Sequence, residues 1–185
     1  MKWWKRAEPA AAAPAQLRSG EHHPFQALSG FLPMRPGELR LYRAVREAVP
    51  VVDAAIYKLI RMTGGAGAVC TDAQAQAELT EFLRRVPAGR GQFGLNAFLE
   101  GYLDSLLTCG RAIGEIVPTA GGREIAALLW GRVDDVEIRE GGTPLDFTIW
   151  GPDETGRLQP LPRQQLLLFT PLNPESENPC GVSIL

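Results

Sequence analysis

Residues 93–117 read FGLNAFLEGYLDSLLTCGRAIGEIV, and within this stretch the hydrophobic period changes from that of a helix to that of a strand. Its first part places apolar side chains three and four residues apart on one helical face: Leu95, Phe98, Leu99, Tyr102, Leu103 and Leu106. Gly110 stands where a left-handed helix cap is expected. Beyond it, Ile113, Glu115 and Val117 alternate with Ala112, Gly114 and Ile116, as in a strand.

Two helices separated by a proline are predicted upstream. Their apolar faces comprise Leu41, Val45, Ala48 and Val52 in the first, and Val52, Ile56, Leu59 and Ile60 in the second. Pro50 lacks a backbone donor, so we expect a kinked helix or two helices there. Arg43 and Glu47 are four residues apart and are expected to form an ion pair. Gly64 and Gly65 offer an exit from the second helix.

A third helix is predicted between a short apolar segment and a proline. Residues 68–70 are expected to form a strand, and Thr71 and Gln74 have the spacing of a capping box. The helix presents an apolar face made of Leu79, Phe82, Leu83 and Val86. Pro87 ends it, because proline cannot continue a helix.

Strand-like patterns dominate the remainder of the chain. They occur at residues 125–130, at Val136 and Ile138, at Leu145, Phe147 and Ile149, and in the apolar run 166–169, which is typical of a buried strand. The predicted class is therefore α+β, with N-terminal helices followed by a mostly antiparallel β meander. Residues 1–36, rich in alanine and proline, are expected to form a flexible arm, and residues 37–185 the folded domain.

Composition limits the possible functions. The 185 residues are 45% hydrophobic and 22% charged, which is typical of a globular protein. A net charge of −2 disfavours a general nucleic-acid binder. The three cysteines include no C-x-x-C pair and suit a reducing compartment. No apolar run is long enough to span a bilayer and no signal peptide is recognisable, so we expect a soluble protein made in a cytoplasm, with no membrane partner.

Candidate reactive residues each have a simpler structural interpretation. His22 and His23 are adjacent and have no further histidine to complete a metal site. Cys109 is expected at a helix C-terminus, where the helix dipole disfavours a thiolate and a buried thiol is the better account. Trp3 and Trp4 stand among basic residues that suit a membrane surface or a nucleic acid, or simply a solvated terminus.

The acidic and glycine-rich candidates are interpreted in the same way. Asp134 and Asp135 are expected at a turn or solvated edge. Glu100 and Asp104 are expected at the solvent-exposed edge of the apolar helical face. Glu115 is expected to form a structural salt bridge. The run Gly89-Arg90-Gly91 lacks the pattern of a phosphate-binding loop, and no strand is expected before it. The sequence therefore predicts no catalytic, cofactor-binding or metal-binding residue and no enzyme.

Three segments, in order, resemble the portal proteins of tailed phages and prophages. LYRAVREAVPVV at residues 41–52 resembles their early helix, and GRAIGEI at residues 110–116 resembles a G-x-A-x-x-E-I strand that follows a long helix. PCGVSIL at residues 179–185 resembles the P-x-G-x-S-x-L signature that follows a late strand, here residues 166–169. Cys180 departs from the aromatic residue frequent in the family, and residues 64–70 depart from its clearer strand pair. The resemblance covers residues 25–185.

The resemblance implies a structural role without cofactors. Residues 37–185 would form the wing of a portal subunit, without the stem and clip that complete the channel. Such subunits form a ring, typically of twelve copies, at one capsid vertex of the virion, after assembly in the host cytoplasm. Implied partners are capsid and scaffold proteins, terminase, a head–tail adaptor and double-stranded DNA passing through. This 185-residue chain alone is expected to be a monomer or weak oligomer. A capsid or tail adaptor is the main alternative.

Overall fold

A computed structural model describes residues 36–65, 67–140, 147–174 and 180–185. These ranges contain four α-helices: α1 (Pro36–Ala48), α2 (Pro50–Thr63), α3 (Ala73–Arg85) and α4 (Leu95–Cys109). The first two strands, which are short, lie between α3 and α4. The strands are β1 (Pro87–Gly89), β2 (Gln92–Phe93), β3 (Arg111–Pro118), β4 (Ile125–Gly131), β5 (Glu137–Glu140), β6 (Phe147–Pro152), β7 (Leu158–Pro160) and β8 (Leu167–Pro171). The predicted α+β class is confirmed.

The strands pair antiparallel but do not form one continuous meander. β1 and β2 form a hairpin, while the larger sheets have the orders β4-β3-β8 and β5-β6-β7. The last strand therefore returns to pair with β3 instead of following β7. This return places β3 at the centre of its sheet, where Ala112, Ile113 and Gly114 are buried. The strand predicted at residues 166–169 is present as β8, but it is half-buried rather than buried, because it lies at the edge of its sheet.

Two hydrophobic clusters lie on opposite sides of β3, because successive strand residues face opposite ways. Ile113 belongs to the first cluster, with Leu39, Cys109, Val133, Ile138, Ile149 and Cys180. Ala112 belongs to the second, with Val86, Ala88, Phe98, Tyr102 and Leu128. Helix α4 contributes to both, since Phe98 and Tyr102 lie in one cluster and Cys109, at its end, in the other.

The structure confirms most helix boundaries and corrects others. Pro50 begins α2, Gly64 caps its end, and Gly110 has the predicted left-handed conformation at φ +72°. Pro36 is the first residue of α1 and not part of an arm, since proline suits a first helical turn. The rest of the predicted arm, residues 1–35, lies outside the described residues, as does Leu145.

The start of α3 and the segment before it differ from the prediction. The N-cap is Asp72 rather than Thr71, and its carboxylate accepts a hydrogen bond from the Ala75 amide at 2.7 Å. Residues 68–70 do not form a strand, and the Val69 side chain is 94% exposed rather than packed in a core. Gln76 tethers this segment instead, accepting a hydrogen bond from the Cys70 amide at 2.6 Å.

Candidate functional site: an arginine-lined cleft

Four arginines converge on a cleft of about 300 Å³ between α1, α4 and the end of β4. They are Arg43 and Arg46 of α1, Arg90 of the β1–β2 turn and Arg132 after β4. The two α1 arginines follow the buried Leu39 at positions i+4 and i+7, so all three lie on the helix face that meets the domain. The local sequence therefore directs both guanidinium groups inward.

Arg43 forms a two-pronged ion pair with Asp134. Its two terminal nitrogens each donate to a carboxylate oxygen at 2.9 Å, across 91 residues of sequence. Arg132 donates to the same carboxylate at 2.5 Å, and the Asp134 side chain is only 14% exposed. The hydrogen bonds from Arg43 hold the pKa of the Asp134 carboxyl well below its ordinary value. The predicted pairing of Arg43 with Glu47 is wrong, because Arg43 turns inward while Glu47 stays exposed.

Arg46 ties together the helices around the α1–α2 joint. It donates to Asp53 of α2 and to Asp104 of α4, each at 2.5 Å, and to the Thr108 hydroxyl at 2.7 Å. Only 14% of the Arg46 side chain is exposed. Because one guanidinium satisfies partners on two other helices, it fixes the bend between α1 and α2 against the end of α4. Asp104 thus has a structural partner, whereas Glu100 is exposed.

Arg90 and Trp130 form the remaining wall of the cleft. The Gly89-Arg90-Gly91 run is the turn of the β1–β2 hairpin, and all three residues have positive φ. The short strand before it was not expected. The Arg90 guanidinium lies 5.1 Å from the centre of a Trp130 ring, a cation–π contact. Trp130 also packs on Gly101 of α4, where a Cβ would come within 2.3 Å of the indole.

The cysteines and carboxylates form no catalytic arrangement in the described part of the chain. Cys109 is the last residue of α4 and 1% exposed, as expected, and burial raises the pKa of its thiol. Asp134 and Asp135 lie at the predicted turn. Glu115 makes no ion pair with any described residue, contrary to the prediction. Among the same residues, no three metal-ligating side chains come together. His22, His23, Trp3 and Trp4 fall outside the described ranges.

A second feature is a close backbone junction between distant segments. The Gly110 carbonyl accepts a hydrogen bond from the Leu172 amide at 2.8 Å, and the Leu172 carbonyl accepts one from Val182 at 2.8 Å. The Ser183 hydroxyl donates to the Thr108 carbonyl at 2.8 Å. Gly181 fits against both Gly110 and Leu172. Residues 180–185 are thereby fastened to the corner between α4 and β3.

Sequence reasoning missed the arginine network and the residue-level contacts of this junction. The predicted apolar face of α1 gave no signal for the network, because Leu41 is 59% exposed and the buried face, which carries Leu39 and both arginines, is the opposite one. Their carboxylate partners are distant in sequence and left none. None of the helices in the described ranges combines the length and the hydropathy of a membrane-spanning segment. Comparison with protein-family models and with curated protein sequences finds no match.

Proposed function

We propose that this chain is a structural subunit of a phage or prophage portal, corresponding to the wing of that ring-forming protein. The observation that carries the proposal is the junction at Gly110. Two of the three segments that resemble the portal family meet there: residues 110–116, and residues 180–185 of the segment 179–185, together with the chain that follows β8. Because the two motifs contact each other, both would serve to hold this corner of the fold together.

The remaining segment that resembles the family supports the proposal through the arginine network. Residues 41–52 carry Arg43 and Arg46, which attach the early helices to the turn after β4 and to the end of α4. The resembling segments are therefore the parts of the chain that hold helices and sheets together. A subunit that transmits mechanical load in a ring needs such cross-links between its elements.

The charge arrangement is compatible with a conduit for DNA. Carboxylates pair with three of the four cleft arginines, Arg43, Arg46 and Arg132, and the whole chain carries a net charge of −2. Paired guanidinium groups attract phosphates weakly, and a strongly basic lining would retain DNA rather than let it slide. The site accordingly suits structural attachment better than catalysis, and the proposed subunit is not an enzyme.

In this proposal the partners are further copies of the chain, the capsid and scaffold proteins, terminase, a head–tail adaptor and the DNA in transit. The place of action is one vertex of the virion, after assembly in the bacterial cytoplasm. A capsid or tail adaptor remains the alternative, because a domain of helices followed by antiparallel strands also suits a protein that only joins finished assemblies.

Disruption of the gene in the phage or prophage that carries it distinguishes these functions. A portal is needed before packaging, so its loss is expected to leave no DNA-filled heads by electron microscopy and by nuclease-protected DNA. Complementation with the intact gene is the control. DNA-filled heads lacking tails would instead identify an adaptor, and unchanged particle production would contradict both functions.

A further inference from the structure

Helix α2 has an apolar stripe that nothing in the described structure covers. Val51, Leu59 and Met62 are 71%, 43% and 70% exposed, and Ala55 between them is exposed as well. These residues follow one another at spacings of four, four and three, so they share one side of the helix. The stripe adjoins the positions through which α2 is buried against the domain. The apolar surface of α2 therefore extends beyond the positions that its own domain buries.

Helix α3 is the other incompletely covered helix. No residue of α3 is fully buried, although its sequence carries a clear apolar face. Leu79 and Phe82 are half-buried and Ala75 is exposed, and these three residues follow one another along one side. The α2 stripe is exposed although α3 is present in the same chain. Helix α3 of the same copy therefore does not cover the stripe.

The charges beside the two surfaces are opposite. Lys58 borders the stripe on α2, and Glu78 borders the apolar residues of α3. Both side chains are exposed, and neither forms an ion pair with another described residue. The two helices thus present apolar surfaces of matching kind with complementary charges at their edges.

We propose that the α2 stripe of one copy docks against the half-covered face of α3 in a second copy, with Lys58 beside Glu78. The contact joins two different surfaces, so it is head-to-tail and repeats from copy to copy, as a ring requires. The inference rests on the proposed portal function, since it names the surfaces through which adjacent subunits meet. A single pair of helices buries less than the ~1,000 Å² typical of a stable interface, so the isolated chain associates weakly.

Charge reversal in the full chain tests the contact by sedimentation velocity, from roughly micromolar to roughly millimolar protein. Lys58→Glu alone and Glu78→Lys alone place like charges together, and each is expected to weaken self-association about tenfold. In a mixture of the two variants, each contact between unlike copies pairs opposite charges, so association is expected to return. Combining both changes in one chain has the same effect. Because both side chains are exposed, the substitutions are expected to leave the stability of the fold unchanged.

Arg123→Glu and Glu154→Lys are the matched controls, because both side chains are exposed and lie outside α2 and α3. They are expected to leave association unchanged. The proposed contact is overturned if the unaltered chain does not associate at all, if the single reversals have no more effect than the controls, or if mixing fails to restore association. Those outcomes leave the packaging experiment unaffected, so failure of this interface and failure of the portal function are distinguishable.

Discussion

Gly181 lies so close to Gly110 that a Cβ on Gly181 would stand 2.3 Å from the Gly110 carbonyl oxygen. Both glycines have positive φ, +78° for Gly181 and +72° for Gly110. A Cβ on Gly110 would in turn meet the backbone of Val182 and Ser183 at 2.4 Å. Neither position has room for a side chain, because the obstructing atoms belong to the backbone and cannot rotate away.

Replacing Gly181 with alanine is therefore expected to lower the free energy of unfolding by at least about 2 kcal/mol, through backbone strain and displacement of residues 180–185. Urea denaturation measures the change. Gly121→Ala is the matched control, since its Cβ would meet nothing within 4 Å. Equal midpoints for the two variants would mean that the segment does not pack at this junction.

Asp134→Asn is expected to destabilise the protein at neutral pH by about 1–3 kcal/mol, because it removes the charge from hydrogen bonds with Arg43 and Arg132. The control is Asp135→Asn. Asp135 is 59% exposed and lies 3.4 Å from Arg132, so its loss is expected to cost less than about 0.5 kcal/mol. Equal effects of the two changes would contradict the inward pairing of Asp134.

The contribution of Asp134 also depends on pH. Its pKa is lower in the folded protein than in the unfolded chain, so the stabilisation is fully present above the unfolded value of about 3.9. As pH falls below that value, the unfolded chain binds a proton first and the stabilisation declines. The difference in unfolding free energy between the unaltered protein and Asp134→Asn should therefore shrink below about pH 4. A difference that stays constant to lower pH would contradict the ion pair.

Gly101→Ala tests the contact between α4 and Trp130. Alanine favours an α-helix over glycine by about 1 kcal/mol, but its Cβ would come within 2.3 Å of the indole ring. Because Arg90 lies close to that ring, we expect a net loss of about 1–3 kcal/mol. Trp130→Phe supplies a smaller ring and should relieve part of the loss in the double variant. A stabilised Gly101→Ala protein would show that Trp130 moves freely.

Two neighbouring residues of α4 should differ in their effect on stability. Leu99 lies at the centre of the predicted apolar face but is only half-buried, while Phe98 is 5% exposed in the second cluster. Phe98→Ala is expected to cost about 3–5 kcal/mol and Leu99→Ala about 1–2 kcal/mol. Denaturation midpoints of the two variants decide the order, and a larger effect at Leu99 would reverse the assignment of faces.

The three cysteines should react with a maleimide at different rates. Cys70 is half-exposed, while Cys109 and Cys180 are 1% and 4% exposed, and burial raises the pKa of the Cys109 thiol. We expect Cys70 to be labelled in the native protein and the other two only after denaturation. Mass spectrometry of labelled peptides identifies the sites. Rapid native labelling of Cys109 would indicate an activated thiol and reopen a catalytic role.

The sequence predicted those helices and strands whose pattern is complete within a short stretch of residues. The apolar face of α4, its glycine cap and the alternation in β3 are all visible within residues 93–117, and the structure has each of them. Burial along α4 was less predictable, because several apolar residues share the face and only those against the sheet are enclosed. That explains why Phe98 is buried more fully than Leu99.

Long-range attachments were not predictable in the same way. The partner of Arg43 lies 91 residues away, so no local pattern links the two, and Glu47 offered a nearer carboxylate. The prediction of a strand at residues 68–70 was wrong for a related reason. Three apolar residues suffice for a strand only where a neighbouring strand is available to pair with them.

Labelling of intact particles tests the portal proposal most directly. Gold-conjugated antibody against this chain, applied to phage particles and precursor capsids purified from cells that carry its gene, is viewed by electron microscopy. The proposal predicts label at a single vertex of each capsid, both in DNA-free precursors and in filled heads. Label at every vertex, label only in tailed particles or no label on any particle would contradict it.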